Sequence, residues 1–306
     1  MSSSLNPSGM TPIFTREVLL NAEAAIATTD AEIIDISNGY GKTIGFRTVD
    51  RDPLSRDVPP GEEEPRKRLI FRGERALRVT AELNNGIETF FPVICEDVLL
   101  CGPNRSEELT RELMVHTIDS FEASDEAKAL TDMIKTNLKG SAVDKVILFG
   151  PGEVGVEYEE HNWLQSCLEF AAARVIARAA QEVSSAPSVA ILAQDFFSSV
   201  CKKVLPEFDI EIIECYGAKG FTLVDDNTIA IAHHPSFPFR EIIADLARPA
   251  VLSMRAQDDP SLTKDLLRTV CDIDSERSRE MIKEYREVLL PVSQPTFHEN
   301  VWYFRK

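Results

Sequence analysis

The chain has 306 residues, of which 43% are hydrophobic, enough for one large domain or two ordinary ones with a well-filled core. Fifty acidic against 33 basic side chains give a formal net charge of −17, which opposes a general attraction to nucleic acid. No apolar run approaches the roughly 20 residues that span a bilayer. The amino terminus, MSSSLNPSGM, lacks the charged and apolar regions of a signal peptide, so a cytoplasmic chain without a membrane partner is expected. The six cysteines show no CxxC spacing and mostly lie in apolar segments, as reduced, buried thiols do.

Residues 1–12 are rich in Ser, Asn, Pro and Gly, the composition of a disordered leader. A helix is predicted over 15–27, with Thr15 as N-cap and Val18, Leu19, Ala22 and Ile26 on its apolar face. Two short strands follow around Asn38 to Gly41. The proline-rich stretch 50–65 is expected to be a loop, and it contains the acidic run Glu62 to Glu64. The adjoining run PRKRLIFRGERALR collects Arg66, Lys67, Arg68, Arg72, Arg75 and Arg78. It is either a solvated, self-neutralising loop or a local basic face. Asn84-Asn85-Gly86 between two β-rich runs signals a hairpin. A long helix is predicted over 106–138, capped by Ser106 and ended by Lys139-Gly140. Residues 13–140 thus form an α+β elaboration, expected to wrap the rest because that long helix needs an apolar partner.

From 141 to 306 strands alternate with helices. Strand 144–149 leads to helix 160–183, strand 188–193 to helix 196–204, and strand 210–215 follows. Strand 228–232 leads to helix 238–247, PAVLSM supplies a fifth strand at 249–254, and helices are predicted near 261–270 and 275–288. This pattern implies an α/β, Rossmann-like, mostly parallel sheet with helices on both faces. The stretch DKVILFGPGEVGVEYEEHNWLQ organises it, an apolar strand running through glycines into a helix.

Parallel strands put their carboxyl ends on one edge, so the residues just after each strand meet in space. After the first strand these include Gly150, Gly152, Glu157, Glu159 and Glu160. Gln194, Asp195 and Phe196 follow the second, Tyr216 and Gly217 the third, and His233-His234-Pro235-Ser236 the fourth. Gly150, Gly152 and Gly155 fit the spacing of a dinucleotide turn, but the three glutamates that follow would repel a pyrophosphate, and no acid ends a following strand where a ribose would need one. The glycines then serve the turn alone. His161, Cys215, Asp195 and the histidine pair have no recognised metal spacing, so neither metal nor cofactor is expected. One of the adjacent histidines is a candidate for proton transfer, and Ser236 is a candidate N-cap with Pro238 in the following first turn.

The series DKVILFGPGEVG, a helix containing Gln165, SVAILAQD and DDNTIAIAHHPSFPFREIIADLARPAVL resembles the Sensitivity to Red Light Reduced (SRR-like) domain family over about residues 143–254. The helix TPIFTREVLL resembles the corresponding segment of its fungal members. The matching positions are Gly150, Gly152, Gln165, Asp195, His234 and Pro235. The chain departs at Gln194, where many relatives have Asp-Pro, and at Ser236, where others carry cysteine. The resemblance implies a Rossmann-like domain and regulatory roles without an agreed reaction.

Two readings follow. In the first, the crevice binds a small-molecule ligand without turnover. In the second, the chain resembles fungal arginine-using, tRNA-dependent cyclodipeptide synthases in size and organisation. Glu157, Glu159, Glu160 and Asp195 would then hold a guanidinium, with Gly150, Gly152 and Gln165 completing the binding site. His234 and Tyr216 would move protons, and Arg66, Lys67, Arg68 and Arg72 would meet aminoacyl-tRNA. The Asp-Asp-x-x-Glu motif associated with that group is incomplete here, since Ile229 and Leu262 stand where Glu is needed.

Overall fold

The computed structural model describes residues 12–27, 33–37, 43–47, 66–73, 76–77, 92–98, 104–156, 163–214, 216–233, 235–256, 271–290 and 300–306. The leader over 1–11, the Asn-Gly hairpin turn, the helix near 261–270, and Glu157, Glu159, Glu160, His161, Cys215 and His234 lie outside these residues.

Helix α1 (Arg16–Ala27) starts at Thr15, whose hydroxyl accepts the Val18 N–H. Strands β1 (Ile33–Ser37) and β2 (Thr43–Arg47) form an antiparallel pair around the predicted turn. The basic run is not a loop: Arg66–Phe71 is strand β3, paired antiparallel with β4 (Val93–Val98). Of the predicted strand after Asn-Gly, Val93 and Ile94 fall in β4, where they pair with Phe71 and Ile70. The single helix predicted over 106–138 is two, α2 (Glu107–Glu122) and α3 (Asp125–Asn137). Ser124 takes an extended conformation and accepts the Ala127 N–H, so it starts a new helix instead of continuing the old one.

Among the described residues the main sheet has seven strands. Its parallel part comprises β5 (Lys145–Phe149), β6 (Ala190–Gln194), β7 (Ile210–Ile212), β8 (Thr228–Ile231) and β9 (Val251–Arg255). The connecting helices are α4 (Trp163–Val183), α5 (Ser199–Val204) with a 3-10 turn over Leu205–Phe208, α6 (Lys219–Leu223) and α7 (Phe239–Leu246). The helix predicted over 275–288 stops early. Helix α8 (Glu276–Ile282) is followed by strand β10 (Tyr285–Val288), and the aromatic tail is strand β11 (Asn300–Arg305). Strand β11 lies between β9 and β10 and runs antiparallel to both, giving the order β10-β11-β9-β8-β5-β6-β7.

Alternation along the strands divides the core between the two faces. Val146 and Leu148 join Ile229, Ile231, Val251, Trp302 and Phe304 under α4, whose alanines Ala171, Ala172, Ala173 and Ala180 let it approach closely, with α2 and α3 packed on it. Ile147 and Phe149 join Ala230, Leu252, Val301 and Tyr303 on the other face, with Phe221 of α6, Phe239 of α7 and Leu19 of α1. The chain is therefore a Rossmann-like α/β protein with a mostly parallel sheet covered on both faces. Among the described residues no helix is long and apolar enough to cross a membrane.

Cys167 and Cys201 are buried. Burial pushes the Cys167 thiol up to about 12. Burial raises Cys201 further still, with the adjacent Glu153 carboxylate adding to it, so this thiol stays protonated and donates to Glu153. Iodoacetamide at neutral pH is therefore expected to label exposed Cys271 and to leave Cys167 and Cys201 unlabelled until the chain is unfolded. Peptide mapping of the labelled protein checks this, and modification of Cys201 in the native state would contradict it.

Candidate functional site

Leaving β5, the chain moves outward through β6 and β7, then returns to β8 on the other side of β5. The topological switch point lies between β5 and β8, and there the carboxyl edge of an open sheet leaves a crevice. The glycine turn after β5 sits on it. Gly150 (φ 69°) and Gly152 (φ 88°) both occupy the left-handed region that favours glycine.

The N–H groups of this turn are already used. Gly152 N–H donates to Asp195 Oδ2 at 2.8 Å, and Asp195 Oδ1 accepts the Phe196 N–H at 2.7 Å. Gly155 N–H donates to Glu153 Oε1, while Glu153 Oε2 accepts the Ser198 N–H, each at 2.5 Å. Two internal carboxylates thus stand where a dinucleotide turn would hold a pyrophosphate. The loop after β7 repeats the device, with the α1 residue Glu23 accepting from the N–H groups of Tyr216, Ala218 and Lys219.

A cavity of about 160 Å³ opens at this edge. Its lining comes from four strand ends, with Gly150 after β5, Gln194, Asp195 and Phe196 at the end of β6, Gly217 after β7, and Ser236 and Phe237 after β8. Strand β3 supplies the remaining wall through Arg68 to Phe71. Two close approaches fix it there: Leu69 N–H donates to Tyr216 O at 2.6 Å, and a Cβ on Gly217 (φ 118°) would meet Leu69 O at 3.3 Å. The Arg68 guanidinium carbon lies 5.7 Å from the centroid of the Phe196 ring, within cation–π range. Phe71 and Phe237 meet edge to face with centroids 6.4 Å apart, and Phe221 packs on both from below. Gln194 ties the floor together, donating to Gly217 O and accepting from Gly220 N–H.

A second cluster lies at the same edge of the sheet. His233 follows β8, and its Nδ1 is 3.0 Å from Glu169 Oε1 and 3.1 Å from Gln165 Nε2, both on α4. Nδ1 donates to the carboxylate when it carries the ring proton and accepts the Gln165 amide N–H when it does not, so the tautomer sets which of the two bonds is made. Burial raises the Glu169 carboxyl above its ordinary range, while His233 and Gln165 pull it back.

The structure therefore brings together Gly150, Gly152 and Asp195 of the predicted set. It places Gln165 with His233 in the adjoining buried cluster. Tyr216 is half-buried and contributes its backbone, to Glu23 and Leu69. Arg66 and Lys67 belong to β3. Arg72 is half-buried just beyond β3, its N–H donating to Pro92 O. Arg68, considered as part of an outer basic face, lines the crevice instead, because β3 lies across the mouth. Phe71 and Phe237 were not singled out in the sequence, where they resemble any other core aromatic. Ser236 is not the cap of α7: Pro238 holds that position, with no side-chain cap. Among the described residues no group of three His, Cys, Asp or Glu side chains is placed to hold a metal ion.

Neither a protein-family model nor a curated relative matches the chain. Among solved structures it is similar to a precorrin-6y C5,15-methyltransferase from Geobacter metallireducens GS-15, at 13% identity over 56% of this chain and 84% of that one, with a TM-score of 0.30.

Proposed function

We propose that this chain is an SRR-like, Rossmann-type cytoplasmic protein that binds a small organic ligand in the switch-point crevice. The observation that carries the reading is the wall supplied by β3. An open α/β sheet exposes its carboxyl edge, and here a separate strand, β3, covers that edge with Arg68 and Phe71 and leaves a cavity lined by aromatic rings and a few polar groups. Binding sites for small molecules have this composition.

A second reading, aminoacyl transfer from arginyl-tRNA to give a cyclic dipeptide, is favoured by one feature. Arg68 belongs both to the basic strand and to the crevice, so a tRNA acceptor end held along β3 would reach the cavity directly.

One experiment addresses both. Small molecules are extracted from the purified full chain and from the culture, and compared by mass spectrometry with those from Phe237→Ala and Asp195→Asn. A compound that co-purifies with the parent chain and is lost with Phe237→Ala is the expected result. A new arginine-containing cyclic dipeptide in the culture, absent with Asp195→Asn, would replace the first reading by the second. A co-purifying compound retained equally by both variants would remove the crevice from consideration.

A further inference from the structure

The polar groups around the crevice are turned on the protein itself. Both Asp195 oxygens accept backbone N–H groups, from Gly152 and Phe196, and the Arg68 guanidinium lies over the Phe196 ring. The Gln194 amide is used at both ends, by Gly217 O and the Gly220 N–H. The N–H groups of the turn after β7 go to Glu23, and that of Gly155 goes to Glu153. Arg68 and Asp195 are the two charged residues of the described lining, and their charges cancel. An ion entering here would give up its water for groups that already have partners, in a site with no excess charge to draw it in.

Ring surface is what the crevice offers instead. Phe196 and Phe237 line it half-buried, so each keeps apolar area that a ligand would cover. Phe237 also belongs to a herringbone. It meets Phe71 at 6.4 Å and 73°, and Phe221 at 5.4 Å and 83°, while Phe71 meets Phe221 at 5.4 Å and 74°. One more ring set against Phe237 would extend that packing in the geometry aromatic pairs prefer. The space suits it: about 160 Å³ is close to the roughly 150 Å³ apolar cavity that takes one benzene ring, and well below the roughly 300 Å³ where sites for larger ligands begin.

We propose that the crevice takes an uncharged ligand through a single aromatic ring, which lies against Phe237 and Phe71 between β3 and the sheet edge. This rests on the ligand-binding reading above and narrows it, since that reading specifies neither the charge nor the shape of the ligand.

The test is a ligand-observed NMR titration of the full chain with benzyl alcohol, benzylamine, benzoate and cyclohexylmethanol. The first three share a ring and differ in charge, and the fourth keeps the hydroxyl and loses aromaticity. Benzyl alcohol is expected to bind tightest, with both charged compounds weaker by about tenfold or more. This comparison on the unaltered chain needs no variant to fold. In Phe237→Leu, which keeps apolar bulk without the ring, benzyl alcohol should weaken by about threefold or more. Any of the other three compounds binding as well as benzyl alcohol, no binding by any of the four, or unchanged binding to Phe237→Leu overturns the proposal. The crevice reading survives each of those outcomes if a compound that co-purifies with the parent chain is still lost with Phe237→Ala, and falls with the proposal if that compound is retained.

Discussion

Replacing Arg240 by alanine is expected to destabilise the chain by about 3–5 kcal/mol, the cost of removing one partner from a buried ion pair. Arg240 is fully buried on α7. Its Nε lies 3.2 Å from Asp272, and its Nη1 donates to Asp274. Its Nη2 donates to the carbonyls of Arg255 and Ala256 at 2.8 and 3.0 Å. Alanine would leave two buried carboxylates without this cation and two carbonyls without this donor.

The deficit should depend on pH, with a definite sign. Burial pushes the Asp272 carboxyl up to about 6, against the pull of Arg240. A carboxyl raised in the folded state contributes stability that is fully present below its unfolded value and is lost as pH rises through the folded one. Without Arg240 the folded value climbs further, so the loss extends to higher pH. Urea denaturation should therefore show the deficit largest near pH 7 and smaller near pH 5. A variant as stable as the parent, or a deficit that grows on acidification, would contradict this account. The damage also bears on function, because α7 begins two residues after Phe237 and carries the turn that closes the crevice.

The parts of this architecture that local pattern encodes were legible in the sequence. Val146 to Phe149 forms a continuous apolar run because β5 is central and buried on both faces, and the following glycines mark a turn that needs positive φ. Alternating strands and helices then fix the edge on which the site must lie. The break at Ser124 was also written locally, as a cap residue followed by Asp125 and Glu126, but the periodic apolar pattern on either side outweighed it. Long-range pairing was not legible. Nothing local in Asn300–Arg305 says that it inserts antiparallel between β9 and β10. The same holds for β3. Buried Leu69 and Phe71 alternate with Arg68 and Ile70, a period that signals a strand, yet the density of positive charge suggested solvent. What sends Arg68 into the crevice is the bond from Leu69 to Tyr216, 147 positions further along the chain.

The second large effect is expected at a glycine outside the lining of the crevice. In Gly220→Ala the new Cβ would stand 2.4 Å from Gln194 Oε1, 2.9 Å from its Cδ and 3.2 Å from Ile213 Cδ1. A side-chain oxygen can usually swing aside, but this one is held. Gln194 is 5% exposed, its Oε1 accepts the Gly220 N–H at 2.5 Å, and its Nε2 donates to Gly217 O at 2.8 Å. Making room for the methyl group means giving up both bonds in a buried place, a loss of about 2–4 kcal/mol. Gln194 and Gly217 line the crevice, so ligand affinity should fall with stability. A double-mutant cycle with Gln194→Ala isolates the cause, since truncating the amide removes the atoms the methyl group would strike. The two substitutions together should cost less than the sum of each alone, by about 1 kcal/mol or more. Strict additivity would place the clash elsewhere, at Ile213, and would separate the floor of the crevice from the packing of α6.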